Sequence, residues 1–292
     1  MSASTNHHPG SSGVTLTGLF VYPVKSARGI ALREATLGDR GITHDRRFMV
    51  VDEKGHFVTQ REVPRMALLG TAIVDAGEGA HGSTPDAGHT GELVLSYEGQ
   101  QLALPLLPAS GPERRVRVFK DEVDALDVGD AARDFLSAAL GRAVSLVYMP
   151  DLSRRQVDPT RATPLDLVGF ADGFPYLLAN ESSLAAVNRE LTTPVTMERF
   201  RPNFVIEGVP AYAEDNFGAL TIGALRFEAV KTCSRCVIVN TDQRTGHREK
   251  GPLEALVRTH VIGNRPIFGQ NLVARSTGRL AVGDPVDVTP PS

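Results

Sequence analysis

A long series of short strand-like segments, each ended by proline, glycine or a polar turn, constrains the fold of this chain more than any other feature. The segments are 14–22, 92–97, 144–148, 204–206, 219–222, 225–230, 237–240, 271–274 and 285–288. Residues 48–59 are typical of a hairpin that turns at 52–55. Apolar residues at helical spacing mark three stretches: 130–140, 181–191 and 252–260. Because strands outnumber helices, we expect a β-rich α+β fold, a β-barrel with peripheral helices.

Polar and turn-rich stretches divide the chain. Residues 1–13 are polar and rich in Gly and Ser, so we expect a disordered tail. Residues 76–90 have the composition of a surface loop. A further stretch, residues 149–164, is rich in Pro, Asp and Arg and is a natural boundary. We therefore predict a first domain over residues 14–149 and a second over residues 150–292.

Composition excludes several classes of function. Lys and Arg number 31 against 34 Asp and Glu, a formal charge of −3, so no basic surface for nucleic acid is indicated. The chain has no tryptophan and only 6% aromatic residues, which argues against recognition by base stacking. It has no run of about 18 apolar residues and no signal-peptide core. We therefore expect a cytoplasmic protein with neither a nucleic-acid partner nor a membrane partner.

Cys233 and Cys236 are the only two cysteines of the chain. A thiolate beside a cation such as Arg235 is the form that binds metal, but one cysteine cannot build a four-ligand zinc site. A metal held here must therefore bring most of its own ligands. Three other interpretations stay open: a redox dithiol, which normally opens a helix; a zinc site with the poorly spaced His247 or His260; and an inert buried thiol at Cys233.

Four polar motifs lie directly before or after predicted strands, where loops gather and ligands usually bind. They are Tyr22-Pro-Val-Lys-Ser26, His44-Asp-Arg-Arg47, Arg199-Phe-Arg-Pro-Asn203 and Phe268-Gly-Gln-Asn271. Lysine supplies a point charge for phosphate, and arginine supplies a planar fork that can hold phosphate or a pterin edge by two bonds. Each motif alone also fits a structural role: a solvated turn, a surface ion pair, an asparagine turn or a close backbone approach at glycine.

As an ordered set, these motifs resemble the molybdenum cofactor sulfurase C-terminal (MOSC) domain family with its accompanying N-terminal β-barrel domain. They fit the branch of the mitochondrial amidoxime-reducing component and its bacterial relatives, over about residues 15–288. Further motifs that carry the resemblance are Gly41–Phe48, Phe170–Pro175, Cys233–Cys236 with Thr241–Gly246, and Phe268–Gln270 with Val282–Pro285. The resemblance implies a MOSC-type β-barrel in the second domain and a mixed β domain before it.

The resemblance also implies how a site is built. In this family a molybdopterin dithiolene, oxo groups and one cysteinate hold molybdenum, and the cysteinate corresponds to Cys236. The residues that match the family's cofactor-contacting positions are Lys25, Ser26, Arg46, Asn180, Arg201, Asn203, Ser234 and Arg235. Lys25 and Ser26 resemble residues at the pterin phosphate, and Asn180 stands at a helix start, which suits an anionic phosphate. A buried phosphate needs paired cations, which these segments supply.

The function implied by the resemblance is reduction of N-hydroxylated compounds, such as amidoximes, N-hydroxylated bases and hydroxamates, with molybdenum held by Cys236. The chain ends at Ser292 without the cysteine cluster of a ferredoxin domain, so we expect a separate electron donor, a ferredoxin or a cytochrome b5-like protein. The alternative is a molybdenum cofactor carrier, or a sulfur relay that uses a persulfide on Cys236. Pyridoxal phosphate is not expected as a cofactor.

Overall fold

The computed structural model describes residues 13–74 and 91–290. These residues contain nineteen β-strands and three α-helices. The strands β1 to β19 are, in chain order, Thr15–Val21, Ile30–Leu32, Glu34–Gly38, Gly41–Ile42, Phe48–Val51, Gly70–Val74, Glu92–Tyr97, Gln100–Pro105, Glu113–Val118, Asp121–Asp127, Ser145–Tyr148, Tyr176–Asn180, Phe204–Glu207, Ala219–Ile222, Leu225–Ser234, Val261–Ile262, Arg265–Ala274, Gly278–Ala281 and Val286–Thr289. The helices α1 to α3 are Asp130–Leu140, Glu181–Asn188 and Pro252–Thr259. Short 3-10 helices cover Pro64–Leu68, Met197–Phe200, Ala213–Asn216 and Val237–Asn240. The predicted β-rich α+β fold is confirmed.

The largest sheet has nine strands in the order β19-β14-β15-β17-β12-β13-β1-β2, with β16 paired to β17. Its neighbours are antiparallel except for the parallel pair β12 and β13. The sheet curls back on itself: the N–H of Leu16 donates to the carbonyl of Asp284 at 3.0 Å, and the N–H of Val286 donates to that of Val14 at 2.9 Å. Apolar side chains, Leu16 and Phe204 among them, fill the space that the curled sheet encloses.

A second apolar core lies among the sheet β5-β11-β10-β9, the sheet β6-β7-β8 and helix α1. Leu136 of α1 and Leu146 of β11 are fully buried in it. The chain passes from the first core to the second just after β1. There the N–H of Lys25 donates to the carbonyl of Phe48 at 2.8 Å, which fastens the segment after β1 to the start of β5. Lys25 therefore lies where the two cores meet.

Local sequence explains where the helices begin and end. The side-chain oxygen of Asn180 accepts the N–H of Ser182 at 3.0 Å and so caps α2. Helix α1 stops at Gly141, whose φ of +67° favours glycine. Helix α2 is shorter than predicted and ends at Asn188, because the Asn188 carboxamide exchanges two hydrogen bonds with the backbone of Val195, at 2.9 and 3.0 Å, as the chain turns back.

One predicted strand is wrong. Residues Val237–Asn240 form a 3-10 turn, and the carbonyl of Cys236 accepts the N–H of Val239 at 3.2 Å. The β-branched run Val-Ile-Val has strand propensity, but the turn buries Val239 against α3, and this tertiary packing outweighs the local preference. The turn is what places Cys236 at the end of an extended segment.

Three further predictions concern a loop, an N-terminal tail and the boundary between two domains. The predicted loop over residues 76–90, and the predicted tail over residues 1–13 except Gly13, lie outside the described residues. The division between residues 149 and 150 stays a prediction; β1 and β2 share their sheet with strands of the second half. None of the helices within 13–74 and 91–290 has the length and apolar character needed to cross a membrane.

Candidate functional site

A cleft opens where the two cores meet, and six segments that are far apart in the chain line it. It contains about 760 Å³ of space, part of it open to solvent. Eight of the nine predicted site residues line this cleft: Lys25, Ser26, Arg46, Arg201, Asn203, Ser234, Arg235 and Cys236. The ninth, Asn180, does not. Residues that the sequence places up to about two hundred positions apart are therefore brought to one surface.

Lys25 is a buried cation with 4% of its surface exposed. Its ammonium group donates to the carbonyl of Phe170 at 2.8 Å and pairs with the carboxylate of Asp172 at 2.5 Å. The ring centroids of Phe57 and Phe119 lie 5.7 and 5.3 Å from it. Burial lowers the pKa of Lys25 to about 8, against the opposing attraction of Asp172. Lys25 is therefore still mainly protonated at neutral pH and can attract an anion.

Arg46 is held in place by several partners. Its guanidinium pairs with the buried carboxylate of Asp45 and donates to Asn203 Oδ1 at 3.0 Å. It also donates to the carbonyl of Arg201 at 3.3 Å and lies 4.2 Å from the ring centroid of Tyr22. Burial raises the pKa of Asp45, but attraction to Arg46 opposes this shift. Asn203 is 1% exposed and fixes the position of this guanidinium from the β13 side.

Arg201 shares the ring of Tyr22 with Arg46, since its guanidinium lies 4.4 Å from the ring centroid. Its Nη1 donates to the carbonyl of Ala27 at 2.7 Å. Burial lowers the pKa of Arg201 to about 10 and raises the pKa of Tyr22 to about 12. Tyr22 is therefore a neutral platform between positive groups, and its hydroxyl donates to the carbonyl of Pro202 at 3.0 Å.

Three residues of the cleft have left-handed backbone although none of them is glycine. Ser26 has a φ of +67°, Arg46 of +47° and Arg201 of +54°. Such residues persist only where the surrounding contacts fix them, and they concentrate at functional sites. At Ser26 one such contact is the hydrogen bond that Gln60 Nε2 donates to its carbonyl at 2.8 Å. The strained backbone of these three residues indicates that the cleft is a functional site.

Cys233 and Cys236 both line the cleft as free, partly exposed thiols. Arg235 Nη1 lies 3.0 Å from the sulfur of Cys233, and Nη2 donates to the carbonyl of Phe200 at 2.7 Å. The interpretation of Cys233 as a buried thiol is therefore wrong, because the end of β15 carries it to the cleft surface. Over the described parts of the chain, no hydrogen bond reaches the Cys236 sulfur. That sulfur is available to a ligand.

The donor set of this cleft fits an anionic cofactor that carries its own metal ligands. Among residues 13–74 and 91–290, no group of three or more His, Cys, Asp or Glu side chains could hold a metal ion. His260 pairs with Asp215 at 2.5 Å and is not among the residues that line the cleft. Arg235 Nε is buried and finds no hydrogen-bond partner in the described chain, so one donor remains for an anion. A free thiol without a hydrogen bond, that of Cys236, beside several cations suits a phosphate-bearing, thiolate-binding metal cofactor.

Asn180 has a structural role instead of the predicted cofactor contact. It is fully buried, and its oxygen caps α2. Its Nδ2 donates to the carbonyl of Pro210 at 2.8 Å and to Glu214 Oε2 at 3.1 Å. The hydroxyl of Ser183 donates to the same carboxylate at 2.7 Å. Both polar atoms of the Asn180 side chain are therefore engaged inside the protein, away from the cleft lining.

One wall of the cleft, residues Asp172–Phe174, was not assigned to the site from sequence. Desolvation acts to raise the pKa of Asp172, but attraction to Lys25 outweighs it and holds this pKa well below its usual value. Arg61 adds a weaker contact at 3.5 Å. The sequence did contain a signal for this wall, because the motif Phe170-Ala-Asp-Gly-Phe-Pro175 is among those that carry the family resemblance.

Arg155 lies behind this wall and is 4% exposed. Its Nη1 donates to the carbonyls of Gly169 and Ala171 at 2.8 and 2.5 Å, and its Nη2 donates to the carbonyl of Asp172 at 3.0 Å. Its Nε pairs with Asp121 at 2.8 Å. One buried guanidinium therefore holds the backbone that presents Asp172 to Lys25. No sequence pattern distinguished Arg155 from other arginines of a polar loop.

Two domain families and several known proteins are similar to this chain. Residues 13–143 match the family of the MOSC N-terminal beta barrel domain, and residues 166–287 match the family of the MOSC domain. The human mitochondrial amidoxime-reducing component 1 is 32% identical over 292 residues, covering 93% of this chain and 82% of the human protein. The molybdenum cofactor sulfurase of Danio rerio is 30% identical over 268 residues, covering 84% of this chain and 30% of that protein.

Among solved structures, the YUAD protein from Bacillus subtilis aligns with 96% of this chain and 97% of its own. The identity is 11% and the TM-score is 0.44, a similarity too low to support an argument.

Proposed function

This chain belongs to the MOSC-domain family, in the branch of the mitochondrial amidoxime-reducing components, and from this premise we propose that it is a molybdenum-dependent reductase of N-hydroxylated compounds. The substrate class is amidoximes and N-hydroxylated bases, in line with the activity that the name of the human relative states. The reaction breaks an N–O bond, consumes two electrons and two protons, and releases the oxygen as water.

The observation that carries this proposal is one cleft that contains Cys236 together with Lys25, Arg46, Arg201 and Arg235. Taking a polyanion out of water is costly unless cations and hydrogen bonds compensate its charge. Here four cations converge from separate segments, and all four are held by the hydrogen bonds and ion pairs described above. Such an arrangement is expected of a site that retains a phosphorylated cofactor.

The chain's residues divide the work of binding. Cys236 would hold the metal through its thiolate, a soft ligand suited to a heavier transition metal. Lys25 and Ser26 would bind the phosphate, and Arg46 would hold the pterin with Arg201 beside it. When bound, the molybdenum cofactor supplies the two-electron redox chemistry that amino-acid side chains lack.

Apolar side chains form part of the lining of this cleft. They belong to Phe174, Leu177, Phe200 and Ile238. A partly dry site strengthens each charge–charge contact inside it, because the effective dielectric constant falls. The same apolar surface can receive the hydrocarbon part of a substrate.

A second function, a cofactor carrier or a sulfur relay through a Cys236 persulfide, is favoured by the similarity to the molybdenum cofactor sulfurase of Danio rerio. A sulfur relay requires an accessible thiol, which Cys236 provides. It does not require Lys25 and Arg46 to converge on that thiol. We therefore place the reductase first.

We also propose that a separate protein, a ferredoxin or a cytochrome b5-like protein, delivers the electrons. The cleft has the chemistry to bind a small molecule and one cofactor, and the described chain contains no cluster of cysteines for an iron–sulfur centre. We propose the cytoplasm as the place where this exchange occurs.

The proposed function predicts that protein purified from a host that makes molybdenum cofactor contains about one molybdenum per chain and reduces benzamidoxime to benzamidine. Metal analysis and product chromatography measure the two quantities, with a chemical reductant as electron source. Metal-loaded protein that is inactive on benzamidoxime and other N-hydroxylated compounds, but transfers sulfur or cofactor to an acceptor, would establish the second function instead.

Lys25 predicts how cofactor retention depends on pH. Its pKa of about 8 means that the ammonium group loses its charge as pH rises through this value. A bound phosphate favours the charged form, so in the loaded protein the change occurs above pH 8. The amount of molybdenum that the protein retains after dialysis should therefore fall between about pH 8 and pH 10. Over this range the Lys25 ammonium loses its proton and no longer attracts the cofactor phosphate.

The matched variant is Lys25→Arg, whose charge persists over this pH range. The amount of cofactor that this variant retains should not change with pH, whereas Lys25→Met should retain less cofactor than the wild type at neutral pH and about as much as the wild type near pH 10. A wild-type curve that coincides with that of Lys25→Arg would show that Lys25 does not hold the anion.

A further inference from the structure

A second cleft adjoins the first and shares the wall Asp172–Phe174 with it. It contains about 1330 Å³ of space, including open solvent. The turn residues Phe119 and Lys120 and the start of β10, Asp121 and Glu122, form another side. The lining is completed by Arg154, Arg155, Gln156, Asp158, Pro159 and Lys231. The two clefts are therefore contiguous at the three residues of the shared wall.

Most acidic groups of the second cleft are already neutralised. The ion pairs are Asp121 with Arg155 at 2.8 Å, Glu122 with Arg117 at 3.1 Å, and Asp172 with Lys25 at 2.5 Å. The remaining acid, Asp158, accepts hydrogen bonds from the N–H and the hydroxyl of Thr160 at 3.0 and 2.8 Å. Only one acidic group thus lacks a cationic partner within ion-pair distance in this lining.

Three cations of the same lining have no such partner. Lys120, Arg154 and Lys231 are exposed and form no ion pair with any residue of 13–74 or 91–290. Among the lining groups without an ion-pair partner, three cations stand against the one carboxylate of Asp158, an excess of two positive charges. Hydrogen bonds from Thr160 lower the pKa of Asp158, and the charges of Lys120 and Lys231 lower it further. Lys120 directly precedes β10 and Lys231 lies in β15, so the two lysines come from different elements.

Phe119 connects the two clefts. It is 40% exposed at the turn between β9 and β10, and its φ of +56° is unusual for a bulky residue. Its ring centroid lies 5.3 Å from the ammonium of Lys25 and 4.8 Å from that of Phe57. A solvent-facing aromatic ring in a strained turn, next to a cation of the first cleft, is suited to contact a planar conjugated group.

We propose that the second cleft is the subsite for an anionic part of the substrate, so that the preferred substrates are planar N-hydroxylated compounds that carry a carboxylate or phosphate group. The planar part packs at Phe119, and the anionic group faces Lys120, Arg154 and Lys231. This inference rests on the proposed function, because it places the N-hydroxyl group beside Cys236.

The test compares benzamidoxime with its 4-carboxy and 4-phosphono derivatives on molybdenum-loaded protein, with a chemical reductant so that no donor protein takes part. At low salt the KM of each anionic substrate should be about fivefold lower than that of benzamidoxime. This lower KM of the anionic substrates should disappear in 0.5 M salt, because charges are then screened beyond a distance of about 4 Å. It should also disappear in the double variant Lys120→Gln/Lys231→Gln and remain in Lys250→Gln, an exposed lysine that lines neither cleft.

Binding provides a readout that does not depend on turnover. Calorimetry of 4-carboxybenzamidine against benzamidine should show the same preference, and the double variant should lose it. A larger preference for the phosphono compounds would identify phosphate as the natural group, and a larger one for the carboxy compounds would identify a carboxylate.

Equal KM values and equal binding of charged and neutral compounds in the wild type would overturn the inference. So would a preference that survives in the double variant, or a loss of activity in that variant seen only with a protein donor, since the cations would then serve that donor. If no N-hydroxylated compound is reduced, the proposed function fails, and the calorimetric comparison still decides whether the second cleft selects anions.

Discussion

Replacing Cys236 by alanine is expected to lower the rate of benzamidoxime reduction to about 1% of the wild-type rate or less. The sulfur of Cys236 lines the cleft and no hydrogen bond from the described residues occupies it, so it is the ligand that we propose for the metal. Without it, molybdenum would lack the thiolate that the proposed site provides. Molybdenum content and the spectrum of the metal centre should change together with the rate.

The matched control is Cys233→Ala, in the same motif and the same cleft. The Cys233 sulfur contacts Arg235 Nη1 at 3.0 Å, while Nη2 of that arginine keeps its bond to the carbonyl of Phe200. We therefore expect Cys233→Ala to retain its metal and to lose activity by about tenfold or less, as for groups that act through a neighbour. Equal losses in the two variants would indicate a dithiol mechanism, and full activity in Cys236→Ala would refute the proposed ligand.

The second large effect is expected for Arg155→Ala. This change removes four contacts of a buried guanidinium: three to the carbonyls of Gly169, Ala171 and Asp172, and one to the carboxylate of Asp121. Removing the buried guanidinium leaves three backbone carbonyls without this donor and costs about 3–5 kcal/mol of the free energy of unfolding, since each unsatisfied buried polar group costs about 1–3 kcal/mol. The wall that presents Asp172 to Lys25 should loosen, so cofactor retention should fall as well.

Urea denaturation of the cofactor-free protein measures the first effect, and molybdenum retained after dialysis measures the second. The neighbouring Arg154→Ala is the control for stability, because Arg154 is exposed and has no ion-pair partner in the described chain. Its unfolding free energy should stay within about 0.5 kcal/mol of the wild type. If Arg155→Ala matched this control, the buried guanidinium would not support the wall.

Eight of the residues predicted from several motifs together line one cleft. Lys25 and Arg46 each had an ordinary structural explanation alone, and only the order of the motifs along the chain indicated a shared cleft. Asn180 was misplaced because a helix-start signal does not tell which surface the helix end faces. Its carboxamide instead joins α2 to Glu214.

The residues that sequence reasoning missed are those whose role depends on contacts far along the chain. Asp172 belongs to a turn of ordinary composition, and its importance comes from a lysine 147 positions away. Arg155 reaches the backbone of the next loop, and no local pattern records that contact. The strand predicted at 237–240 failed for a related reason, since packing against α3 overrode the β-branched composition.

Taken alone, the amino-acid sequence determined the β-rich fold class, most strand positions, the family and the identity of eight cleft residues, because strand periodicity and motif order are local or linear properties of a chain. Only the tertiary structure decided which charges meet: the pairing of Lys25 with Asp172, the shared Tyr22 ring, the accessibility of Cys233 and the second cleft with its three unpaired cations. These contacts arise from the way the sheet curls and the two cores abut. Closure of a sheet is set by packing over long sequence distances, which no short segment encodes.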